Sequence, residues 1–326
     1  MDFGLLMDPQ INVAIQNFSP ALTSFFTRGE FLDSMPWYFL IFSLLTFGLH
    51  PRYGVRLATL FGLNSGLNEA AKLACHLPRP YWVSDAVRSF SAHSSFGFPS
   101  GAAMSGAVLY GYIAVQVRRS PVIIICSILF LATSFVRLFS GIHFATDIIG
   151  GWALGFLLLG IFLFAAPKAE EFAGRLSRPA RLALYVFVSV IPILLVVPAY
   201  IALGDWQVPA AWIELALQQT GSTIHPVTIQ YAWGATGIIL GSLFGYEYLK
   251  SRGGWSPPED LKQRALVVFA GTLSVLLVNI AITDLWVFLG ITMFSPQLAV
   301  FLRMAGVTFW LMALVPVIAA KAGFSQ

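Results

Sequence analysis

The sequence predicts an all-α membrane protein: a polytopic bundle of about nine transmembrane helices preceded by an N-terminal interfacial helix. Three observations predict it. Of 326 residues, 57% are hydrophobic and only 10% charged, against about 25% charged in a soluble domain. Mean hydropathy is +0.78. The apolar residues gather into runs of roughly 20, the length a bilayer-crossing helix needs. Lipid offers no partner to an open sheet edge, and the alternating pattern of a membrane barrel is absent, so these runs are read as helices.

In chain order, residues 8–27 are expected to lie on the membrane surface, with Ile11, Val13, Ala14, Ile15, Phe18, Leu22, Phe25 and Phe26 on the apolar side. Spans are predicted over 34–50, 54–76, 101–118, 121–141, 145–166, 181–203, 225–249, 265–289 and 297–320. The second is the least apolar. Its Asn64, Asn68, Glu69 and Lys72 require that one face meet protein or water. Trp206 to Gln219 reads as another interfacial segment, anchored by Trp206 and Trp212. Residues 254–260, GWSPPED, form a connector. No cleavable signal is expected, because residues 1–30 lack a basic start and a continuous apolar core.

Charge sets the orientation. Of the 19 Lys and Arg residues, 13 fall in the connectors after the first, third, fifth, seventh and ninth spans. That side is expected to be cytoplasmic. Lys72, Arg79 and Arg137 are among the remaining six and face the other way. The basic residues are scattered over short connectors, so the sequence pI of about 9.1 is no nucleic-acid footprint. Cys75 and Cys126 fall near opposite faces, and no disulfide between them is expected.

Polar residues are costly at membrane depth and mark a site by default. Three clusters occur between Lys72 and Asp147. Lys72 ends a span, and Pro78 and Pro80 place Arg79 in a stiff turn beside it. Two such cations suit a dianionic group, although snorkelling at a membrane edge would account for them individually. Ser100 is a natural N-cap before an apolar helix, and Gly101 permits close backbone approach. Such an end is either an ordinary capped helix or an anion site. His143 and Asp147 share a helix face at a spacing of four. The carboxylate can hold one imidazole nitrogen protonated and leave the other free to attack, with Arg137 nearby to neutralise a transferred group. A structural hydrogen bond for His143 and a helix-dipole partner for Asp147 are the plainer roles.

Taken together, the clusters resemble the type 2 phosphatidic acid phosphatase superfamily, whose signature reads K-x6-R-P, P-S-G-H and S-R-x5-H-x3-D. Lys72, Arg79 and Pro80 match the first part, Pro99, Ser100 and Gly101 most of the second, and Arg137, His143 and Asp147 the third, with Val136 in place of serine. The resemblance covers roughly residues 8–166. It divides the chain into a phosphatase core over 1–170 and additional transmembrane helices over 171–326. The extra spans and the run PSGAAMSG look most like the sphingosine-phosphate phosphatase branch. The resemblance implies His143 as nucleophile, Asp147 as its orienting carboxylate, and Lys72, Arg79, Ser100, Gly101 and Arg137 as phosphate-holding groups. It implies no cofactor and no metal, the cations doing the charge neutralisation. The expected partners are a lipid phosphate substrate and membrane lipids, with no nucleic acid. The site is expected on the periplasmic face of a bacterial inner membrane.

One position departs. Ala102 stands where the family has the histidine that protonates the leaving alkoxide, and general acid catalysis is typically worth about 10² to 10⁴ in rate. His93, in the SAHSSFGF loop, is a possible substitute donor; His76 and His225 are less well placed. Ala102 is either a deliberate inactivating substitution, which the otherwise intact site favours, or natural degeneracy. The expected activity is a lipid phosphomonoesterase acting on a sphingosine phosphate-like lipid or phosphatidate through a phosphohistidine, impaired in this chain. The alternatives are a polyprenyl-diphosphate phosphatase, a lipid phosphotransferase, and a non-catalytic lipid-phosphate binding or transport protein. In the last spans, Asp284 and Arg303 are expected to pair, with Asn279 a further polar residue there.

Overall fold

The computed structural model describes residues 7–18, 23–290 and 295–325. Among them no strand occurs. The elements are α1 (Pro9–Phe18), α2 (Thr23–Gly29), a 3₁₀ turn (Glu30–Asp33), α3 (Met35–Gly48), α4 (Pro51–Cys75), α5 (Pro80–Val83), α6 (Gly101–Val117), α7 (Ser120–Phe139), α8 (Ala145–Arg175), α9 (Arg178–Ala202), α10 (Ala210–Thr220), α11 (Gln230–Ser251), α12 (Leu261–Phe288) and α13 (Pro296–Phe309). A π-helical turn (Trp310–Leu314) then leads into α14 (Val315–Lys321).

A helix occupies each predicted span. Among the described residues, five stretches are long and apolar enough to cross a membrane: α7, α8, α9, α12 and Pro296–Lys321. The number rises to six if the bent pair Phe26–Asp33 and Met35–Gly48 is one span. Three of the other four predicted spans differ for physical reasons. α3 has 14 residues and α6 has 17, short of the roughly 20 that a hydrocarbon core of about 30 Å takes at 1.5 Å per residue. α4 is long enough but polar, with buried Asn64, Asn68, Glu69 and Lys72 along it.

The chain forms two compact units, and the boundary between them falls within α4, α8 and α9. The first comprises the described residues of 1–34, 67–161 and 195–228. In it α8 lies hard against the start of α6. A Cβ at Gly151 would come within 2.7 Å of the Ser100 carbonyl, and one at Gly155 within 2.7 Å of the Met104 carbonyl. Small residues at these positions let the two backbones meet. The close approach is sealed by the Ser100 N–H, which donates to the Asp147 carbonyl at 2.9 Å.

The N-terminal helix differs from its predicted form. Residues 19–22 lie outside the described residues, as does the side chain of Phe25. The most deeply buried side chains of α1 are not the apolar ones expected but Asn12 and Gln16, at 0% and 1% exposure, while Phe18 is 91% exposed. The amides are buried because backbone carbonyls are there to accept from them.

The second unit comprises residues 35–66, 162–194 and 229–325. α11 and α13 pack through the row Gly237, Gly241, Gly245. A Cβ at Gly237 would stand 2.4 Å from the Phe301 carbonyl and one at Gly241 2.1 Å from that of Ala305. Arg52 and Arg56 both bond Glu170, while Arg181 and Lys250 converge on Glu247 at 2.6 and 3.1 Å. Asp284 and Arg303 form no ion pair among the described residues. Arg303 Nη1 instead donates to Thr283 Oγ1 at 3.3 Å, one position away from the carboxylate and so on a different face of α12.

Candidate functional site

All the predicted site residues lie in the first unit, and the three clusters are bonded to one another. α4 carries Lys72 in its last turn. The chain then leaves the helix through His76, whose φ is +39°, and through Pro78. Arg79 caps the short α5, with Pro80 at its first position. Lys72 and Arg79 are buried, at 7% and 2% exposure.

Both cations hold the 95–97 loop. Lys72 Nζ donates to the Phe96 carbonyl and, at 3.2 Å, to that of Gly97. Arg79 Nε reaches the Ser95 carbonyl at 2.6 Å and Nη2 the Ser95 hydroxyl at 3.0 Å. Gly97 is required by proximity. A Cβ there would meet the Pro78 carbonyl at 2.4 Å and Asp147 Oδ2 at 3.1 Å.

Ser100 is the N-cap of α6, its hydroxyl accepting from the Ala103 N–H at 3.4 Å. The first N–H groups of a helix have no intrahelical partner, and here they belong to Gly101 and its neighbours. Asn68 Nδ2 donates to the Pro99 carbonyl at 3.2 Å, and a Cβ on Gly101 would lie 3.0 Å from Asn68 Oδ1. Ala102, in this same first turn, is 2% exposed.

Arg79 also joins the first cluster to the third. Its Nη1 donates to the Ile142 carbonyl at 2.8 Å and lies 3.3 Å from His143 Nε2. A guanidinium only donates, so Nε2 accepts and carries the lone pair. The ring proton therefore sits on Nδ1, which is 3.0 Å from Asp147 Oδ2. The same oxygen accepts from the Phe144 N–H at 2.9 Å, which fixes the carboxylate as well as the ring. Burial, followed by the charges of Arg79, Lys72 and Arg137, holds the His143 pKa well below 6.5. The imidazole is thus neutral with Nε2 available, the state a nucleophile needs.

Arg137 is 3% exposed and pairs with Asp33 Oδ2 at 3.0 Å. Its Nη2 also approaches the Glu30 carbonyl at 3.5 Å. Asp33 and Glu30 were absent from the sequence-predicted site, as were Asn12 and Gln16. Asn12 Nδ2 donates to the carbonyls of Leu138 and His143 at 2.9 and 3.0 Å, and Gln16 Nε2 to those of Arg88 and Phe139 at 2.7 and 2.9 Å. Their only trace in the sequence is two amides spaced four apart on one helix.

His93 stands on the loop that the cations hold. Its peptide N–H donates to the Tyr81 hydroxyl at 3.0 Å, and that hydroxyl donates to its carbonyl at 2.8 Å. Burial, then Arg79, Arg137 and Lys72, push its pKa down to about 2. His93 is therefore a neutral imidazole at about pH 7, not the imidazolium that a general acid would be. His76 packs against Phe96 and Trp206 with centroids 6.4 and 5.3 Å apart, and the His225 N–H donates to the Ser94 hydroxyl. Cys75 and Cys126 are free thiols.

The stretch predicted as a second interfacial segment is docked on this loop. Trp212 of α10 packs against Trp82 at 6.0 Å, and Gln219 accepts from the Ser89 N–H and donates to the Ser84 carbonyl, both at 3.1 Å. The geometry as a whole offers three buried cations, a helix N-terminus and a neutral imidazole with an oriented carboxylate behind it. That arrangement can bind a tetrahedral dianion and attack it from one side.

Comparison with known proteins bears on this site. Residues 53–171 match the family described as the PAP2 superfamily. Over 128 residues the chain is 30% identical to phosphatidylglycerophosphatase B of Bacillus subtilis (strain 168), covering 36% of this chain and 61% of that protein. Over 169 residues it is 25% identical to lipid phosphate phosphatase delta of Arabidopsis thaliana, covering 46% of this chain and 40% of that protein. The chain thus spans less than two thirds of either relative, and neither is named a sphingosine-phosphate phosphatase. No solved structure matches.

Proposed function

We propose that this chain, whose residues 53–171 match the PAP2 superfamily, is an integral membrane lipid-phosphate phosphatase that, as it stands, binds its substrate better than it cleaves it. The observation that carries the proposal is the bonding of Arg79 to His143 Nε2 at 3.3 Å with Asp147 at 3.0 Å behind the ring. One guanidinium is placed to hold a phosphoryl oxygen beside the atom that attacks phosphorus.

The substrate class is a lipid phosphomonoester, phosphatidate or a sphingosine phosphate-like lipid. Lys72, Arg79, Arg137, the Ser100 hydroxyl and the Gly101 N–H take the phosphoryl oxygens. His143 Nε2 forms a bond to phosphorus, and the bond from phosphorus to the lipid oxygen breaks. Asp147 stabilises the imidazolium character that develops. Water then attacks the phosphohistidine, releasing inorganic phosphate and returning Nε2 to its lone pair. Charge neutralisation by preorganised cations is the main contribution the protein makes to such a transfer.

The leaving alkoxide needs a proton, and Ala102 has none to give. Loss of a general acid costs about 10² to 10⁴ in rate, so turnover is impaired while the phosphate cradle is kept. The charge asymmetry of the connectors supports a site opening to the periplasmic side of a bacterial inner membrane. Residues 1–170 act as the phosphatase core and 171–326 as additional helices.

Ala102 also favours a second reading, a non-catalytic lipid-phosphate binding or transport protein. One experiment separates the two. Ala102→His is assayed for phosphate release from phosphatidate, sphingosine phosphate and undecaprenyl diphosphate. The phosphatase reading expects release at least about 10²-fold above the parent chain on a lipid phosphomonoester. No release from any of the three overturns it in favour of binding alone.

A further inference from the structure

The turn between α7 and α8 has to do two things. It must let the chain reverse within five residues of Phe139, and it must present His143 four residues ahead of Asp147. A helix ends with carbonyls that have no intrahelical partner. At the end of α7 two of these, from Leu138 and Phe139, accept from Asn12 Nδ2 at 2.9 Å and Gln16 Nε2 at 2.9 Å. Asn12 Nδ2 then reaches across the turn to the carbonyl of His143 itself, at 3.0 Å. One side-chain amide thus ties the two ends of the turn together.

Gln16 performs the matching task on the other flank. Its amide nitrogen donates to the Arg88 carbonyl at 2.7 Å, and its oxygen accepts from the Arg88 N–H at 3.1 Å. Gly141, at the apex of the turn with φ +69°, fits beneath it. A Cβ there would meet the Arg88 carbonyl at 2.4 Å and Gln16 Nε2 at 3.0 Å. Asn12 and Gln16 are 0% and 1% exposed, and they share one face of α1. From the same N-terminal segment, Asp33 holds Arg137 at 3.0 Å on the last turn of α7. Asn12, Gln16 and Asp33 all lie outside residues 53–171.

We propose that Asn12 and Gln16 are positioning residues of the catalytic apparatus, acting as a clamp from α1 that sets where His143 stands relative to Asp147 and the phosphate cradle. The clamp's hydrogen bonds described above go to backbone groups and not to the imidazole ring. The clamp fixes the place from which Nε2 attacks. A misplacement of about 1 Å costs about 10²-fold in a reaction that depends on alignment. The inference rests on the phosphatase reading for its rate effects, and one readout is therefore independent of turnover.

The kinetic test uses the full chain carrying Ala102→His, with phosphatidate in mixed micelles. Asn12→Leu keeps the branching, with a larger volume, and removes the donor; Asn12→Asp keeps the shape and size and removes the donor; Asn12→Ser keeps one donor on a shorter arm. Leu and Asp are expected to lower kcat about tenfold to hundredfold with KM within threefold, Ser to lie between them and the parent, and Gln16→Leu to give a smaller loss of the same kind. The second test uses the chain with Ala102 in place, labelled with 15N-histidine, its His143 signal identified by loss in His143→Ala. The Nδ1–H proton, sheltered by Asp147, is expected to exchange at least about tenfold faster in Asn12→Asp and Asn12→Leu than in a variant of equal Tm altered away from the turn, since the lost donor also costs some stability.

Unchanged kcat in Asn12→Leu and Gln16→Leu, or a loss that follows Tm with KM rising in step, makes α1 a fold contact only and overturns the proposal. Unchanged Nδ1–H exchange in Asn12→Leu overturns it as well, whether or not Ala102→His turns over. Absence of phosphate release in Ala102→His alone counts against the phosphatase reading and leaves the exchange test to decide the clamp.

Discussion

The two units treat their cations differently. In the second, Arg52 and Arg56 share Glu170, and Arg181 and Lys250 share Glu247. Each is set against a carboxylate, which cancels charge as well as accepting hydrogen bonds. In the first, Lys72 and Arg79 are more deeply buried, yet the bonds described above go to the carbonyls of Ser95, Phe96, Gly97 and Ile142, a serine hydroxyl and an imidazole. The first arrangement suits structure. The second, in the first unit, fixes two cations through backbone acceptors, and a cation in a low-dielectric place acts strongly on any anion that reaches it. Arg137 stands between the two, buried like the site cations but paired with Asp33.

The sharpest way to break this contrast is to remove the group the first unit's cations serve. In the Ala102→His background, His143→Ala should reduce phosphate release by about 10³-fold or more; retained turnover would show that another group attacks. Next in size is a crossed pair of substitutions. Lys72→Gln should weaken inorganic phosphate binding about tenfold to hundredfold and leave Tm within a few degrees. Glu247→Gln should do the reverse, leaving phosphate affinity unchanged and costing about 1–3 kcal/mol of stability, because Arg181 and Lys250 lose their carboxylate. Thermal unfolding and equilibrium binding on the same preparations read both, and equal effects on the two quantities would erase the distinction.

The pH dependence of stability is smaller per step and sharpens the comparison from the histidine side. His143 and His93 are both held below 6.5 in the folded chain, so below that pH the unfolded chain binds more protons than the folded one. Stability is fully present above about pH 6.5 and falls as pH drops below it, by about 1.4 kcal/mol per pH unit for each histidine. Tm measured from pH 8 to pH 5 should decline only in the lower part of the range, and His93→Gln should remove about half of that slope. The smallest expected effect is at Arg137. Asp33→Asn should tighten phosphate binding about threefold to tenfold, since the carboxylate that competes for the guanidinium is gone. Weaker binding in Asp33→Asn would show that Asp33 holds Arg137 in place and does not compete.

Side chains with fixed spacing made the candidate site legible. Lys72, Arg79, Ser100, Arg137, His143 and Asp147 were singled out by their own side chains, and the structure gathers them in one unit. Helix positions were legible too, since apolar runs mark them; the number able to cross was not, because Asn64, Asn68 and Lys72 make α4 too polar and α3 and α6 are short. The partners of the site residues left almost no trace. The Phe96 and Gly97 carbonyls that hold Lys72 belong to the backbone, which every residue has. Asn12 and Gln16 were hidden for a related reason. Apolar periodicity assigns the inward face of a helix to its hydrophobic residues, and here amides took it because unpaired carbonyls at the end of α7 were waiting for donors. Asp284 and Arg303 failed as a pair through a difference of one residue, which turns a side chain by about 100° around a helix.

Gln219 lies well beyond residues 53–171, yet its one amide closes on both Ser84 and Ser89, in the loop that leads to His93 and Gly97. The stretch that similarity singles out is therefore not a transplantable module. Grafted into another chain, residues 53–171 would bring every charge of the cradle and leave behind the clasp that holds its rim, so a chimaera should include residues 204–228 from the outset.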